Sequence, residues 1–160
     1  MTASTAILHP PDFSEFSFPL VGLKVNHVWQ GYGSAVFVEF GNLQEGRVRR
    51  DGSLGIPRGE WTLAIEGGWR IEGKRRIWCG SFSDRDRWPK ALECLKASIV
   101  VSVSLYGRLP EIALDLSNGL HLLSMMTAEG DPEWALTKRV GEISTSICTV
   151  AGRLRIDEER

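Results

Sequence analysis

Nowhere in this sequence do about 18 apolar residues run together, so it contains no stretch that reads as a membrane-spanning helix. The first residues, Met1 to Phe16, have neither a basic start nor a long apolar run, which is unlike a secretory signal. Cysteine is scarce: Cys79, Cys94 and Cys148 form no CxxC pair, and their number is odd. That composition speaks against a disulfide framework and against a structural zinc site. It points to buried, reduced thiols in a cytoplasmic protein. A positive surplus is also missing. With 19 Lys and Arg against 20 Asp and Glu, the formal net charge is −1 and the sequence pI about 6.3, so nucleic acid is not the default partner. No GxSxG elbow is present, and Gly31-Tyr32-Gly33-Ser34 lacks the remaining glycine and the lysine of a phosphate-cradling loop, which leaves it as a turn.

The 160 residues suit one domain spanning 1–160, and six tryptophans can anchor its core. Its main organisational feature is self-similarity. Gly22-Leu23-Lys24-Val25-Asn26-His27-Val28 matches Ala97-Ser98-Ile99-Val100-Val101-Ser102-Val103, at an offset of 75. Val38-Glu39-Phe40-Gly41-Asn42 then matches Leu114-Asp115-Leu116-Ser117-Asn118 at an offset of 76, and Glu60-Trp61-Thr62-Leu63 matches Glu133-Trp134-Ala135-Leu136 at an offset of 73. The order predicts two repeat units, about 20–82 and 97–156, that bury their apolar faces against each other.

Both units read as strands. Val36, Val38 and Phe40 alternate with Phe37, Glu39 and Gly41, and Ile112, Leu114 and Leu116 with Ala113, Asp115 and Ser117. Asn118-Gly119 reads as a tight hairpin turn, with Gly41-Asn42 as its counterpart and Asp51-Gly52 as a further turn. Residues 60–66 are expected to pair with 69–71 across Gly67-Gly68, and 76–79 to follow the Gly73-Lys74 turn. Asp131-Pro132-Glu133 resembles a helix start, but the repeat favours a strand at 134–137. Strands at 143–149 and 153–156 precede the charged tail Asp157–Arg160. Trp88, Ala91, Leu92 and Leu95 share one helical face, so a connecting helix is expected over about 86–96, capped by Asp84 or Asp86. Pro10 and Pro11 suggest an extended lead-in tacked to the core by Phe13, Phe16 and Phe18. The fold class is mainly β: two similar antiparallel units joined by one helix, as a sandwich or a partly open barrel.

Chemistry is sparse. His9, His27 and His121 have no second histidine at metal spacing, so no metal and no cofactor is expected. Glu39 with Asp115 and Glu60 with Glu133 occupy matching places, and paired carboxylates can do acid–base work. Charges on the polar side of a strand are ordinarily solvated, and the second pair precedes core tryptophans, so no catalytic residue is assigned. Residues 20–85 hold ten Lys and Arg against seven Asp and Glu, whereas 88–160 hold eight against ten. The basic excess lies in Arg47, Arg49 and Arg50 and in Lys74, Arg75 and Arg76, with Trp69 and Trp78 between. If adjacent, these segments form a basic patch with aromatic edges. They are the candidate binding residues, although charge runs are more often plain solvated surface.

The run Leu114-Asp115-Leu116-Ser117-Asn118-Gly119-Leu120, the acidic spacer Glu129-Gly130-Asp131 and then Glu133-Trp134-Ala135-Leu136 resembles small bacterial proteins of a domain of unknown function, in which a strand, an Asn-Gly turn and a Trp-x-Leu strand recur. Some of these are immunity-like. The resemblance covers mostly 97–137, with a weaker echo over 22–65, and it brings no catalytic residues. It implies a non-enzymatic binding or regulatory protein with a protein partner. Two alternatives stand beside it: a hydrolase-type enzyme using the carboxylates or His27 in a cleft between the copies, and a nucleic-acid or phospholigand binder using the Arg-rich segments. Exposed sheet edges would also permit a homodimer.

Overall fold

Period-two alternation leaves each strand one apolar face, and the chain buries those faces by stacking two antiparallel sheets. The computed structural model describes residues 6–7, 10–129 and 132–160. His9 and the Gly130-Asp131 part of the acidic spacer lie outside them. Strands account for 48% of the protein and helices for 12%, and the sheets form a partly open sandwich rather than a closed barrel. Among the described residues no helix is long and apolar enough to cross a membrane.

The strands, in chain order, are β1 (Ala6–Ile7), β2 (Val25–Gln30), β3 (Val36–Phe40), β4 (Trp61–Ile65), β5 (Gly68–Glu72), β6 (Ile77–Gly80), β7 (Val100–Tyr106), β8 (Glu111–Leu116), β9 (His121–Met125), β10 (Trp134–Val140), β11 (Ile143–Val150) and β12 (Arg153–Glu159). One sheet runs β1-β12-β11-β10-β4-β3-β2 and the other β6-β5-β9-β8-β7. Trp69, Trp88, Trp134, Phe13, Phe40, Leu63 and Ile65 are among the largest fully buried side chains. Each such side chain contributes about 1.5–3 kcal/mol by leaving water.

Three local expectations change. The lead-in is not extended: Pro10–Ser17 form a helix, α1, with both prolines in the first turn, where their missing N–H groups need no partner. Phe13 packs edge-on against Trp134 and Phe16 against Trp61, while Phe18 stays exposed. The connecting helix is shorter than expected, a 3-10 turn over Arg85–Arg87 followed by α2 (Trp88–Glu93). Its expected apolar face is buried, but Asp84 makes no side-chain cap and the residue capping α2 is Arg87. Finally, β4 and β5 do not form a hairpin. At Glu66-Gly67 the chain leaves the first sheet, so that β4 pairs with β10 and β5 with β9. The last strand takes in the acidic tail as far as Glu159.

Main-chain bonds recur through the molecule at the same spacing as the sequence blocks. Val25 N–H donates to Ser98 (2.8 Å), and Val100 N–H donates to Leu23 (2.9 Å); Gly22 N–H donates to Val100 (2.8 Å), and Ala97 N–H to Val25 (2.9 Å). Each bond has its counterpart 75 residues away, around the Lys24–Ile99 bridge that joins the edges of the two sheets. The register breaks at Val25/His27 in the β2–β3 hairpin and at Val100/Ser102 in the β7–β8 hairpin. Trp134 departs from the expected match. Its indole N–H donates to Pro110 O (3.0 Å), as that of Trp69 does to Ser34 O (2.8 Å), so its structural counterpart is Trp69. Trp61 instead lies on a direct neighbour of β10, with Leu63 opposite Leu136. Along the chain, three strands of each half stay in one sheet (β2, β3 and β4; β7, β8 and β9), and the next strand crosses to the third strand of the other half.

Candidate functional site

The two halves differ most between their second and third strands. After β8, Asn118-Gly119 turns the chain directly into β9; Gly119 N–H donates to Leu116 O (3.0 Å), with φ at +81°. After β3 the chain instead runs out through residues 42–60 before β4. This arm is a narrow ribbon. Gln44 and Arg58 exchange main-chain bonds (2.8 and 3.1 Å), Gly55 N–H donates to Arg47 O (2.9 Å), and Arg49 N–H to Ser53 O (2.7 Å). The two sides meet so closely that a Cβ on Gly46 would lie 2.1 Å from Gly55 O, which only glycine permits. At the tip, Asp51 accepts from the hydroxyl and N–H of Ser53 (2.6 and 3.0 Å), and these bonds hold its carboxyl below the usual value of 3.8.

A cavity of about 880 Å³ opens between this ribbon and the far end of the β10–β11 hairpin. Five arginines line it, Arg47, Arg49, Arg58, Arg139 and Arg160, against two carboxylates, Glu45 and Glu142. Behind them Glu39 is fully buried. Strand alternation alone would have left it in water. Here its carboxylate accepts from Trp29 Nε1 (2.9 Å), Gly59 N–H (2.9 Å) and Thr62 Oγ1 (2.5 Å), with the Arg58 guanidinium 3.8 Å away. From β10, Arg139 donates to two of its neighbours, Thr62 Oγ1 (2.6 Å) and Gly59 O (3.2 Å). Burial holds the Arg139 pKa below its ordinary value; Glu39 opposes that shift and Arg58 adds to it. Arg58 thus faces the buried carboxylate directly, and Arg139 is joined to it through the Thr62 hydroxyl. Trp29 stacks on Phe37 (3.8 Å between centroids, 5° between planes) and carries Arg58 over its ring at 4.9 Å.

Of the residues expected to bind, Arg47 and Arg49 line this cavity, and Arg50 is exposed near the ribbon tip. Trp69 is no aromatic edge: it is 1% exposed, packs edge-on against Trp88 (4.9 Å) and spends its N–H on Ser34, because it lies on the inward apolar face of β5. Lys74, Arg75 and Arg76 sit on the β5–β6 turn of the other sheet. Arg76 lies over Trp78 (5.1 Å) and lines a separate cavity of about 370 Å³ with Arg87 and Lys90. The two basic segments therefore do not merge into one patch. Arg58, Arg139 and Arg160 were missed. No local pattern marks Arg139, whose partners Gly59 and Thr62 are distant in sequence.

The four groups of the enzyme reading separate into two pairs. His27 is the cross-strand neighbour of Glu39 in one sheet. In the other, His121 Nδ1 lies 2.5 Å from Asp115 Oδ1, and Ser102 Oγ donates to Asp115 Oδ2 (2.6 Å). None of the four lines any of the four described cavities. Glu60 accepts from Asn42 N–H (2.8 Å), whereas Glu133 lines a different cavity, its pKa raised by burial and by Glu111 and Glu66. Among the described residues no three His, Cys, Asp or Glu side chains are grouped to hold a metal ion. Comparison of the chain with protein-family models, with curated proteins and with solved structures finds no match in any of the three.

Proposed function

We propose that this protein is a binding module without catalytic activity, and that it takes an anionic partner into the arginine-lined cavity beneath the ribbon. One observation carries the reading: Arg139, half-buried at the cavity, spends its guanidinium on Thr62 Oγ1 and Gly59 O with no carboxylate in ion-pair contact among the described residues, while Arg58 lies 3.8 Å from the one buried carboxylate, Glu39. Half-buried guanidinium groups attract carboxylate or phosphate strongly, because the planar fork matches both. The ribbon supports it further, since it is present in one half of the molecule and replaced by a two-residue turn in the other. Three unpaired thiols fit a reducing, cytoplasmic setting.

Heparin-column retention at low salt tests this, because a protein of net charge −1 has no bulk reason to bind. The expected result is retention that weakens with salt, is lost in Arg47→Gln/Arg49→Gln and is kept in Lys74→Gln/Arg75→Gln/Arg76→Gln. Flow-through of the unaltered chain, or loss confined to the second variant, overturns it.

A further inference from the structure

We infer that the ligand of the arginine cavity is a compact oligophosphate, whether free, at the end of a nucleotide or on a lipid headgroup; this rests on the anion-binding reading above. The cavity has the volume of a small-molecule site, and it is bounded by the ribbon on one side and the β10–β11 end on the other. All five of its cations are arginine and none is lysine, which favours a ligand with several oxygens in fixed planes over a single point charge. Counting Glu39 with Glu45 and Glu142, five guanidinium groups face three carboxylates, so a ligand with at least two negative charges restores balance. No aromatic side chain is among the lining residues, and Trp29, which carries Arg58, is stacked on Phe37. The lining offers no ring on which a base could stack, so the phosphates and not a nucleobase are what the site recognises. None of the four described cavities is lined by the Asn118-Gly119 turn of the β7–β8 half.

Isothermal titration of the full chain with sodium tripolyphosphate tests the assignment. Binding is expected, with ATP similar, AMP much weaker and citrate weaker than tripolyphosphate. Arg49→Gln, on the exposed ribbon where folding is not at stake, is expected to weaken binding about tenfold, the ordinary loss for one charge-assisted contact. Arg139→Gln is expected to weaken it at least as much, provided its circular dichroism matches that of the parent. Phosphatidylcholine vesicles with and without phosphatidylinositol bisphosphate separate the headgroup source from the soluble ones. Citrate binding as tightly as tripolyphosphate, or no effect of Arg49→Gln, overturns the assignment. Poly-glutamate binding without tripolyphosphate binding overturns it while leaving the anion reading intact. If neither binds, both fall.

Discussion

Gly22 and Ala97 hold the same left-handed backbone, with φ at +91° and +66°, at the two ends of one symmetric set of main-chain bonds. Glycine adopts that conformation freely, whereas alanine is strained there by about 1 kcal/mol. Ala97→Gly should therefore stabilise the fold by up to ~1 kcal/mol, less what the freer unfolded chain takes back. Gly22→Ala should destabilise it by about 1 kcal/mol through backbone strain alone, since an added Cβ meets nothing within 4 Å. Urea midpoints of the two variants should move in opposite directions.

Glu39 supports the floor of the cavity. Glu39→Gln replaces an acceptor of three hydrogen bonds with a group that must donate at one oxygen position, and it removes the negative charge facing Arg58. A loss of about 2–4 kcal/mol is expected, as for one partner removed from a buried network. Denaturant unfolding measures it. Thr62→Val should show part of the same loss.

The half lacking the ribbon has Asp115 where the other has Glu39. The Ser102 hydroxyl chiefly holds the Asp115 pKa below 3.8; burial opposes it, and His121 adds to the lowering. A carboxyl lowered in the folded state adds stability above its unfolded value, and that stability disappears as pH falls through the folded one. The parent should therefore lose more stability than Asp115→Asn on going from about pH 5 to about pH 3. Both carboxyl and imidazole are partly exposed, so the difference should be small, and smaller still in high salt.

The crossed strands make a fourth prediction. Because β4 pairs with β10 and β5 with β9, neither half completes its sheets by itself. Fragments 1–96 and 97–160 should each lack a cooperative thermal transition, and an equimolar mixture should regain one. A cooperative transition in either fragment alone would contradict the pairing.

Local pattern carried much of this structure. Alternation at Val36–Phe40 and Ile112–Leu116 and the turn at Asn118-Gly119 concern neighbours in sequence, and the sheets followed. The crossing at Glu66-Gly67 was illegible because Gly67-Gly68 suits a hairpin and a change of sheet equally well; the choice is made by β9 and β10, far along the chain. The match of Trp134 to Trp61 misled for the opposite reason. Both precede a buried leucine by two positions, yet the hydrogen bond that marks the counterpart leaves from Trp69. In the cavity, Arg47 and Arg49 could be read as a charge run. Arg139 could not, since Gly59 and Thr62 lie almost eighty residues before it.

A symmetric dimer of identical subunits displays every feature twice, because whatever one subunit carries its mate must carry as well. Two halves on one continuous chain are free of that obligation, and they meet at the high effective concentration of a tether. Here Gly41 opens into a seventeen-residue excursion that reaches Gly59 and Ser117 opens into a two-residue turn, on scaffolds that share the same bulge and the same bridging bonds. Covalent continuity is what allows this molecule one arm rather than two, and hence one asymmetric pocket on a symmetric frame.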